Sequence, residues 1–376
     1  MMLRVVVDRS PDSVSRLVDA LRSALDGGPA VLPVGPTPVP DPGVEPPAGT
    51  AVVIATSGST GGAKLVVLSA AALRASAHGT AQRLGGAARW LLALPAEHVA
   101  GVQVIVRAVL AGRLPLVQDL TGGFRADDFA AATRALGPGP RCTSLVPTQL
   151  GRLLDAGGPA LDALRSYHAV LIGGAALDGS LRDRALTAGI GVVTTYGMTE
   201  TAGGCIYDGV ALDGVRIGID PDGRVRLGGA TLADGYLGRP ADTAAAFADG
   251  WFRTGDLGRW HDGRLQVLGR ADDVIITGGE NVAPAAVERV LAAQPGVRAA
   301  CVVGLPDAGW GQVVGAAIQL DPGVDAVDED ALRAAVRAEL GRAAVPRVLA
   351  VLDDLPLRGI GKPDRPAVTA LLTGPT

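Results

Sequence analysis

Residues Thr56–Lys64 read TSGSTGGAK and follow directly on the apolar run Ala51–Ala55, AVVIA. A strand-like segment gives way to three glycines and four hydroxyl residues, and the loop closes on a lysine. Glycines let successive backbone N–H groups converge on one point, hydroxyls add donors, and an ammonium adds charge; these are the parts of an anion cradle. The Walker pattern does not apply, because it requires Gly-Lys-[Ser/Thr] and Lys64 stands between Ala63 and Leu65. Taken alone, the stretch also reads as a plain Ser/Gly surface loop.

Composition adds weight to the lysine. Of the 34 Lys and Arg residues only two are lysines, Lys64 and Lys362. A chain that uses arginine almost everywhere keeps a compact, mobile ammonium at two positions where a planar fork serves differently.

The length of 376 residues suits one large domain and a smaller one. Hydrophobic residues make up 48% but aromatics only 3%, which describes a globular chain with an aliphatic core. A formal charge of −4, with arginines scattered rather than striped, gives no electrostatic case for nucleic acid or an anionic membrane. Cys142, Cys205 and Cys301 are far apart, with no CxxC and no Cys/His cluster, so neither a disulfide framework nor a zinc site is expected and a cytoplasmic setting fits. The opening MMLRVVVDRSPDS reads as a strand entering a helix, not as a signal peptide. The longest apolar region, Val99–Val117, is interrupted by Gln103, Arg107 and Arg113 and is too polar to span a bilayer.

Working outward from the cradle, LRVVVD predicts a strand, and Ser10 with Pro11 opens a helix whose apolar positions are Val14, Leu17, Val18, Leu21 and Leu25. A proline-rich connector, GPTPVPDPGVEPPAG, leads into the cradle strand. From there to about residue 210, apolar strands (AVVIAT, WLLALP, LPLVQ, CTSLVP, AVLIGG, VVTTYG) alternate with helical patterns, which argues for a layered α/β domain. Between about 214 and 270 the texture changes to short strands and DG turns, predicting β-hairpins. From 271 onward a helix starting at Pro284, two strands and the helix in DEDALRAAVRAELG predict a compact α+β domain. The expected architecture is α/β: a large layered N-terminal domain (1–270) with mixed sheets and a β-rich end, and a small mobile α+β C-terminal domain (271–376), joined at Arg270–Asp273.

Four further stretches carry chemistry. In TTYGMTET (Thr194–Thr201), Tyr196 offers a stacking face, Thr199 a hydroxyl and Glu200 a hard oxygen ligand; one carboxylate plus substrate phosphates is a common way to hold Mg²⁺. In GWFRTGDLG, Asp256 sits between glycine turns, placed to bind two hydroxyls of a ribose or to serve as an ordinary turn aspartate. GRADDVIITGGEN follows, and LPLRGIGKPDR sets Lys362 on a Gly-flanked loop.

In this order, across roughly residues 50 to 370, the five stretches resemble the adenylate-forming superfamily of acyl-CoA synthetases, peptide-synthetase adenylation domains and luciferases. The resemblance implies that Thr56, Ser57, Gly58, Ser59, Thr60, Gly61 and Lys64 hold the β/γ-phosphates of ATP. It implies that Gly174, Ala175 and Ala176 run along the adenine, with Tyr196 and Gly197 beside it. Thr199 would contact the α-phosphate and Glu200 the Mg²⁺. Asp256 and Arg270 match a ribose-binding pair, Asp272 a hinge, and Gly278 with Gly279 the walls of a channel for the pantetheine of coenzyme A. Lys362 matches the lysine that bridges the attacking carboxylate and the α-phosphate. The cradle departs from the family in having Ala63 where proline is usual, and the region before it is short. Dimerisation would cover surface that the short region leaves bare, so a homodimer stays open.

Within the superfamily, LPAEHVAG, LIGGAAL and YGMTETAGGCIYDGVALDGV are most similar to the o-succinylbenzoate–CoA ligases of menaquinone synthesis, in their short actinobacterial form. That similarity implies a gate role for His98, an acyl pocket lined by Ser144 and Thr148, and room for an aromatic keto-acid at Gly203 and Gly204. The expected partners are a small-molecule acid, ATP and CoA. A CoA ligase for another acid, an adenylation protein that loads a carrier, and a non-catalytic nucleotide-binding protein are the alternatives. The absence of a fused GxDS carrier segment favours CoA, and the presence of Lys362 and Glu200 favours catalysis.

Overall fold

A computed structural model describes residues 2–39, 41–56, 63–358 and 362–374, apart from the side chains of Arg358 and Lys362. The chain divides into two compact units, Met1–Gly174 with Arg184–Gly218 and Arg226–Thr254, and Ala175–Asp183 with Ile219–Val225 and Gly255–Thr376.

The first unit begins with the helix Pro11–Leu25. Ser10 accepts from the Ser13 N–H, Pro11 occupies the first turn, and Leu17 and Leu21 are fully buried. Its cap, proline and apolar spacing are all local signals, and the helix forms where they place it. Two sheets follow. The first has five strands in the order Leu3–Val6, Val31–Val34, Thr50–Thr56, Lys64–Ser69, Gly235–Tyr236, parallel across the first three and antiparallel thereafter. The second has seven, in the order Val210–Ala211, Gly203–Tyr207, Val192–Met198, Ala169–Ile172, Arg141–Leu145, Arg89–Leu92, Leu116–Val117. Its central pairings are parallel and its Gly203–Tyr207 edge is antiparallel.

Helices Ala70–Arg83 and Val99–Leu110 pack against each other and the seven-stranded sheet, and Ala70–Arg83 also reaches the five-stranded one. Every residue from Gly101 to Ala108 is buried, which is why this helix is apolar nearly all round. No helix among the described residues is long and apolar enough to cross a membrane. Asp208-Gly209, Asp249-Gly250 and Asp262-Gly263 each hold two consecutive positive φ angles, the mark of type I′ hairpins. At Asp222-Gly223 only the glycine does so, and Asp220 to Arg224 closes as a longer loop.

In the second unit, Val297–Asp307 and Gly311–Leu320 form a long hairpin joined by Ile275–Thr277, Glu280–Val282 and the parallel strand Val348–Val351. Alternation sends Val302, Val314, Ala316 and Ile318 to one face, under helices Pro284–Ala292 and Glu329–Leu340. Cys301, Val303, Leu305 and Ala317 go to the other, with Val368 of the helix Arg365–Thr373. This unit is α+β and layered.

All three cysteines are free and buried. Burial pushes the Cys142 thiol up to about 11 and those of Cys205 and Cys301 up to about 12. At pH 8 all three are therefore thiols, not thiolates, and shielded. The native protein is expected to resist iodoacetamide at pH 8 and to take up three alkyl groups once unfolded, as read by intact mass. Fast alkylation of the folded protein would show that one of these cores opens.

Candidate active site

The strands on either side of the glycine-rich stretch, Thr50–Thr56 and Lys64–Ser69, are antiparallel neighbours, so a strand and not a helix begins at Lys64. Thr56 lies opposite Lys64, and its hydroxyl donates to the Lys64 carbonyl at 3.2 Å. Ser57, Gly58, Ser59, Thr60 and Gly61 lie outside the described residues. The Lys64 ammonium stands over the ring of Tyr236, 4.5 Å from its centroid. Tyr236 comes from the short strand Gly235–Tyr236, which adds to the edge of the lysine strand opposite Val66. Its N–H donates to Thr243 Oγ1 at 2.9 Å, its ring meets Phe247 edge-on, and its phenol donates to Glu200 Oε1 at 3.0 Å.

Glu200 is presented by a tight turn, Thr199–Thr201, at the end of the strand Val192–Met198. The Met198 N–H donates to Thr201 Oγ1, and that hydroxyl donates to the Gly203 carbonyl at 2.8 Å. Ala202 then adopts φ 51°, a left-handed conformation that disfavours a β-carbon. Two side chains hold it there: the Ser76 hydroxyl at 3.0 Å and the Gln103 amide at 2.8 Å both donate to its carbonyl. The Glu200 carbonyl accepts from the Ala233 N–H, tying the turn to the segment that carries Tyr236. Gly197 pairs with Gly204, and a β-carbon at 197 would run into the Gly203 carbonyl. Thr199 is buried and Tyr196 half-buried on the same strand and turn.

His98 is the N-cap residue of the helix Val99–Leu110. One face of that helix carries two polar side chains into the interior. Gln103 is 1% exposed, with Oε1 unpartnered. Arg107, one turn on, is 7% exposed; its guanidinium lies 5.1 Å from the Trp90 ring centroid and donates to the Tyr207 hydroxyl at 3.3 Å, while its Nε has no partner. No carboxylate among the described residues pairs with it. β-carbons added at Gly203 and Gly204 would touch Gln103 and Thr195 respectively, so the missing side chains let these neighbours close in. Ser144 lies near the end of a buried strand, and Thr148 lies in the first turn of the helix Pro147–Ala156.

In the second unit, Asp256 and Arg270 are cross-strand partners, with Arg270 Nη1 3.7 Å from Asp256 Oδ1 and Nη2 3.2 Å from Asp272 Oδ2. A β-carbon at Gly255 would sit 2.6 Å from the Arg270 guanidinium carbon, so a side chain there would displace the guanidinium from its present place. Gly278 and Gly279 form the two-residue tip of a hairpin with φ 58° and 85°. Lys362 lies in a two-stranded ribbon opposite Arg358. Directly after it, Asp364 caps the last helix through the Ala367 N–H. Arg365 reaches Glu288 at 2.6 Å, Asp273 at 3.1 Å and the Val302 carbonyl at 2.6 Å.

The structure thus brings Lys64 and Glu200 together in the first unit, and Asp256, Arg270 and Asp272 in the second. Gly174 belongs to the first unit, Ala175 and Ala176 to the second. Sequence reasoning missed Tyr236, Arg365 and the inward-facing pair Gln103 and Arg107. The signal for the pair was present, as two polar residues four apart in an apolar helix.

Lys64 at a strand end, Glu200 on a tight turn and the Asp256–Arg270 pair are the residue types that enzymes use to handle phosphate and hydroxyl groups. The chain belongs to the AMP-binding enzyme family, whose model matches residues 3–235; the model for the AMP-binding enzyme C-terminal domain matches 286–362. Among its relatives is a probable 2-succinylbenzoate–CoA ligase of Mycobacterium tuberculosis, 47% identical over 86% of this chain and 85% of that protein. A 2-succinylbenzoate–CoA ligase of Listeria innocua is 34% identical over 84% and 69%. Among solved structures, o-succinylbenzoate CoA synthetase (MenE) of Bacillus subtilis in complex with the acyl-adenylate intermediate OSB-AMP superposes with a TM-score of 0.74, at 26% identity, over 98% of this chain and 78% of that one. The amide bond synthetase McbA of Marinactinospora thermotolerans does so with 0.79, at 29% identity, over 99% and 80%.

Proposed function

We propose that this chain is an ATP-dependent, AMP-forming acid–CoA ligase that converts 2-succinylbenzoate to its CoA thioester by way of an acyl-adenylate. The relatives carry that name, and one observation in the chain itself supports the substrate. The acid has two carboxylates, and only one is activated. The other enters the pocket charged and needs a desolvated cation. Arg107 is a buried guanidinium, against Trp90 and Tyr207, that no carboxylate among the described residues pairs and that has an unused N–H, and we assign it to that second carboxylate.

In the first half-reaction the acid's carboxylate oxygen attacks the α-phosphorus of ATP and pyrophosphate leaves. Lys64, Thr56 and the Ser57–Gly61 stretch hold the β- and γ-phosphates, and Lys362 offsets the charge that builds as two anions meet. Glu200 fits a Mg²⁺ site of the usual kind, a single hard carboxylate completed by substrate phosphates, and the ion would neutralise phosphate charge there. Asp256 and Arg270 bind and orient the ribose. In the second half-reaction the CoA sulfur attacks the acyl carbon and AMP leaves, with Gly278, on which the Trp310 ring packs, and the open Gly279 at the wall of the pantetheine path. A swivel at Asp272 would withdraw Lys362 and admit the thiol. Three shielded free thiols suit the reducing cytoplasm.

The test is an AMP-release and thioester assay with ATP, CoA and a panel of acids. Thioester is expected from 2-succinylbenzoate and far less from 4-oxo-4-phenylbutanoate, which lacks the ring carboxylate. Adenylate formation without any CoA thioester would instead assign a carrier-loading role. Absence of ATP–pyrophosphate exchange with every acid would leave a nucleotide-binding protein.

A further inference from the structure

Lys64 and Glu200 carry opposite charges and approach the same aromatic ring, yet no ion pair joins them among the described residues. Tyr236 stands between the two. Its ring face takes the ammonium, 4.5 Å from the centroid, and its hydroxyl, at the far end of the ring, donates to Glu200 Oε1 at 3.0 Å. The tyrosine is itself fixed. It is 8% exposed, its backbone is paired with the lysine's own strand, its N–H is bonded to Thr243, and its ring lies edge-on to Phe247, which in turn packs on Phe252. Gly235 has φ 134° and no room for a β-carbon beside the Thr243 side chain, so Thr243 packs directly on the backbone next to the tyrosine.

A lysine needed for phosphate and a carboxylate needed for a metal would cancel each other in a direct salt bridge, and ATP would have to break that bridge first. A cation–π contact is weaker than a salt bridge to a desolvated carboxylate, so an ammonium parked on a ring is easily drawn away by phosphate. A single phenol hydrogen bond orients the carboxylate and adds no positive charge to it.

We propose that Tyr236 is a positioning residue that keeps Lys64 and Glu200 apart and aims each at its own partner, phosphate for the lysine and the divalent cation for the glutamate. This rests on the reading of those two residues given above.

Two variants separate its two roles in ATP–pyrophosphate exchange. Tyr236→Phe keeps the ring and loses the hydroxyl. It is expected to raise the Mg²⁺ concentration for half-maximal rate about tenfold, the scale of one hydrogen bond to a charged group, with the KM for ATP at saturating metal little changed. Tyr236→Leu removes the spacer, so the lysine meets the glutamate and both the Mg²⁺ requirement and the KM for ATP rise. Adding Glu200→Gln to Tyr236→Leu should then bring the KM for ATP back down, because the carboxylate that captured Lys64 is gone. Loss of packing alone would produce no such rescue. The idea is overturned if Tyr236→Phe leaves metal dependence unchanged, or if its effect is equally large in a Glu200→Gln background. If Tyr236→Leu does not fold, the Phe variant decides alone. Should Glu200→Gln by itself leave metal dependence unchanged, the assignment of Glu200 to the metal fails, which is a separate result.

Discussion

Replacing Lys362 by alanine is expected to lower adenylate formation at least ~10²-fold, while thioester formation from pre-made adenylate continues at the parent rate. The asymmetry follows from charge. Only the first half-reaction brings a carboxylate against a phosphate, and only there does a positioned ammonium in a water-poor site stabilise more charge in the transition state than in the ground state. The second half-reaction needs access for a thiol, which the ammonium does nothing to provide. Single-turnover measurements of each half-reaction check this. Equal loss in both would remove the domain-swivel role and reduce Lys362 to a structural residue. The lysine's backbone is well anchored, since it sits in a ribbon opposite Arg358, and Asp364 and Arg365 fasten the residues that follow.

The second large effect is expected at Arg107. Substituting methionine retains the helix and much of the volume but removes the only charge on the inward face. The KM for 2-succinylbenzoate should rise at least ~30-fold, the lower end of what truncating one member of a buried charged pair costs. The KM for ATP should stay close to the parent value. Discrimination against 4-oxo-4-phenylbutanoate should collapse, since a pocket without the guanidinium no longer distinguishes the two acids by charge. A parallel loss with both acids, leaving the ratio intact, would show that Arg107 serves Trp90 and Tyr207 instead of substrate.

How much of this was legible beforehand depends on the distance over which each feature is encoded. The helix Pro11–Leu25 was readable because Ser10, Pro11 and the Leu17–Leu21 spacing act within one or two turns. The five parallel strands of the seven-stranded sheet were readable as largely apolar runs, because a sheet covered on its faces imposes no alternation, whereas the antiparallel Gly203–Tyr207 and Val210–Ala211 were not read as strands. The paired Asp256 and Arg270 entered through family resemblance, and the structure sets them opposite each other in register. Tyr236 was not readable: it meets Glu200 from 36 residues away, through an edge strand two residues long. Arg365 lies 92 residues from Asp273, and neither residue hints at the other. Arg107 was visible as a charge in an apolar stretch, but it served only to exclude a membrane span. Which side of the helix it faced is decided by packing of the Val99–Leu110 helix on the sheet, and no local signal carries that.

The neighbouring aspartates at 272 and 273 are gripped by different arginines. Asp272 is held by Arg270, with Arg224 at 3.9 Å, whereas Asp273 is held by Arg365, three residues beyond Lys362. A rotation about the backbone at 272 would therefore exchange the first set of partners and leave the second untouched. The lysine would travel clamped to the rotating side like a tool bolted to its arm, so its aim would be preset by that clamp and only its arrival left to the pivot.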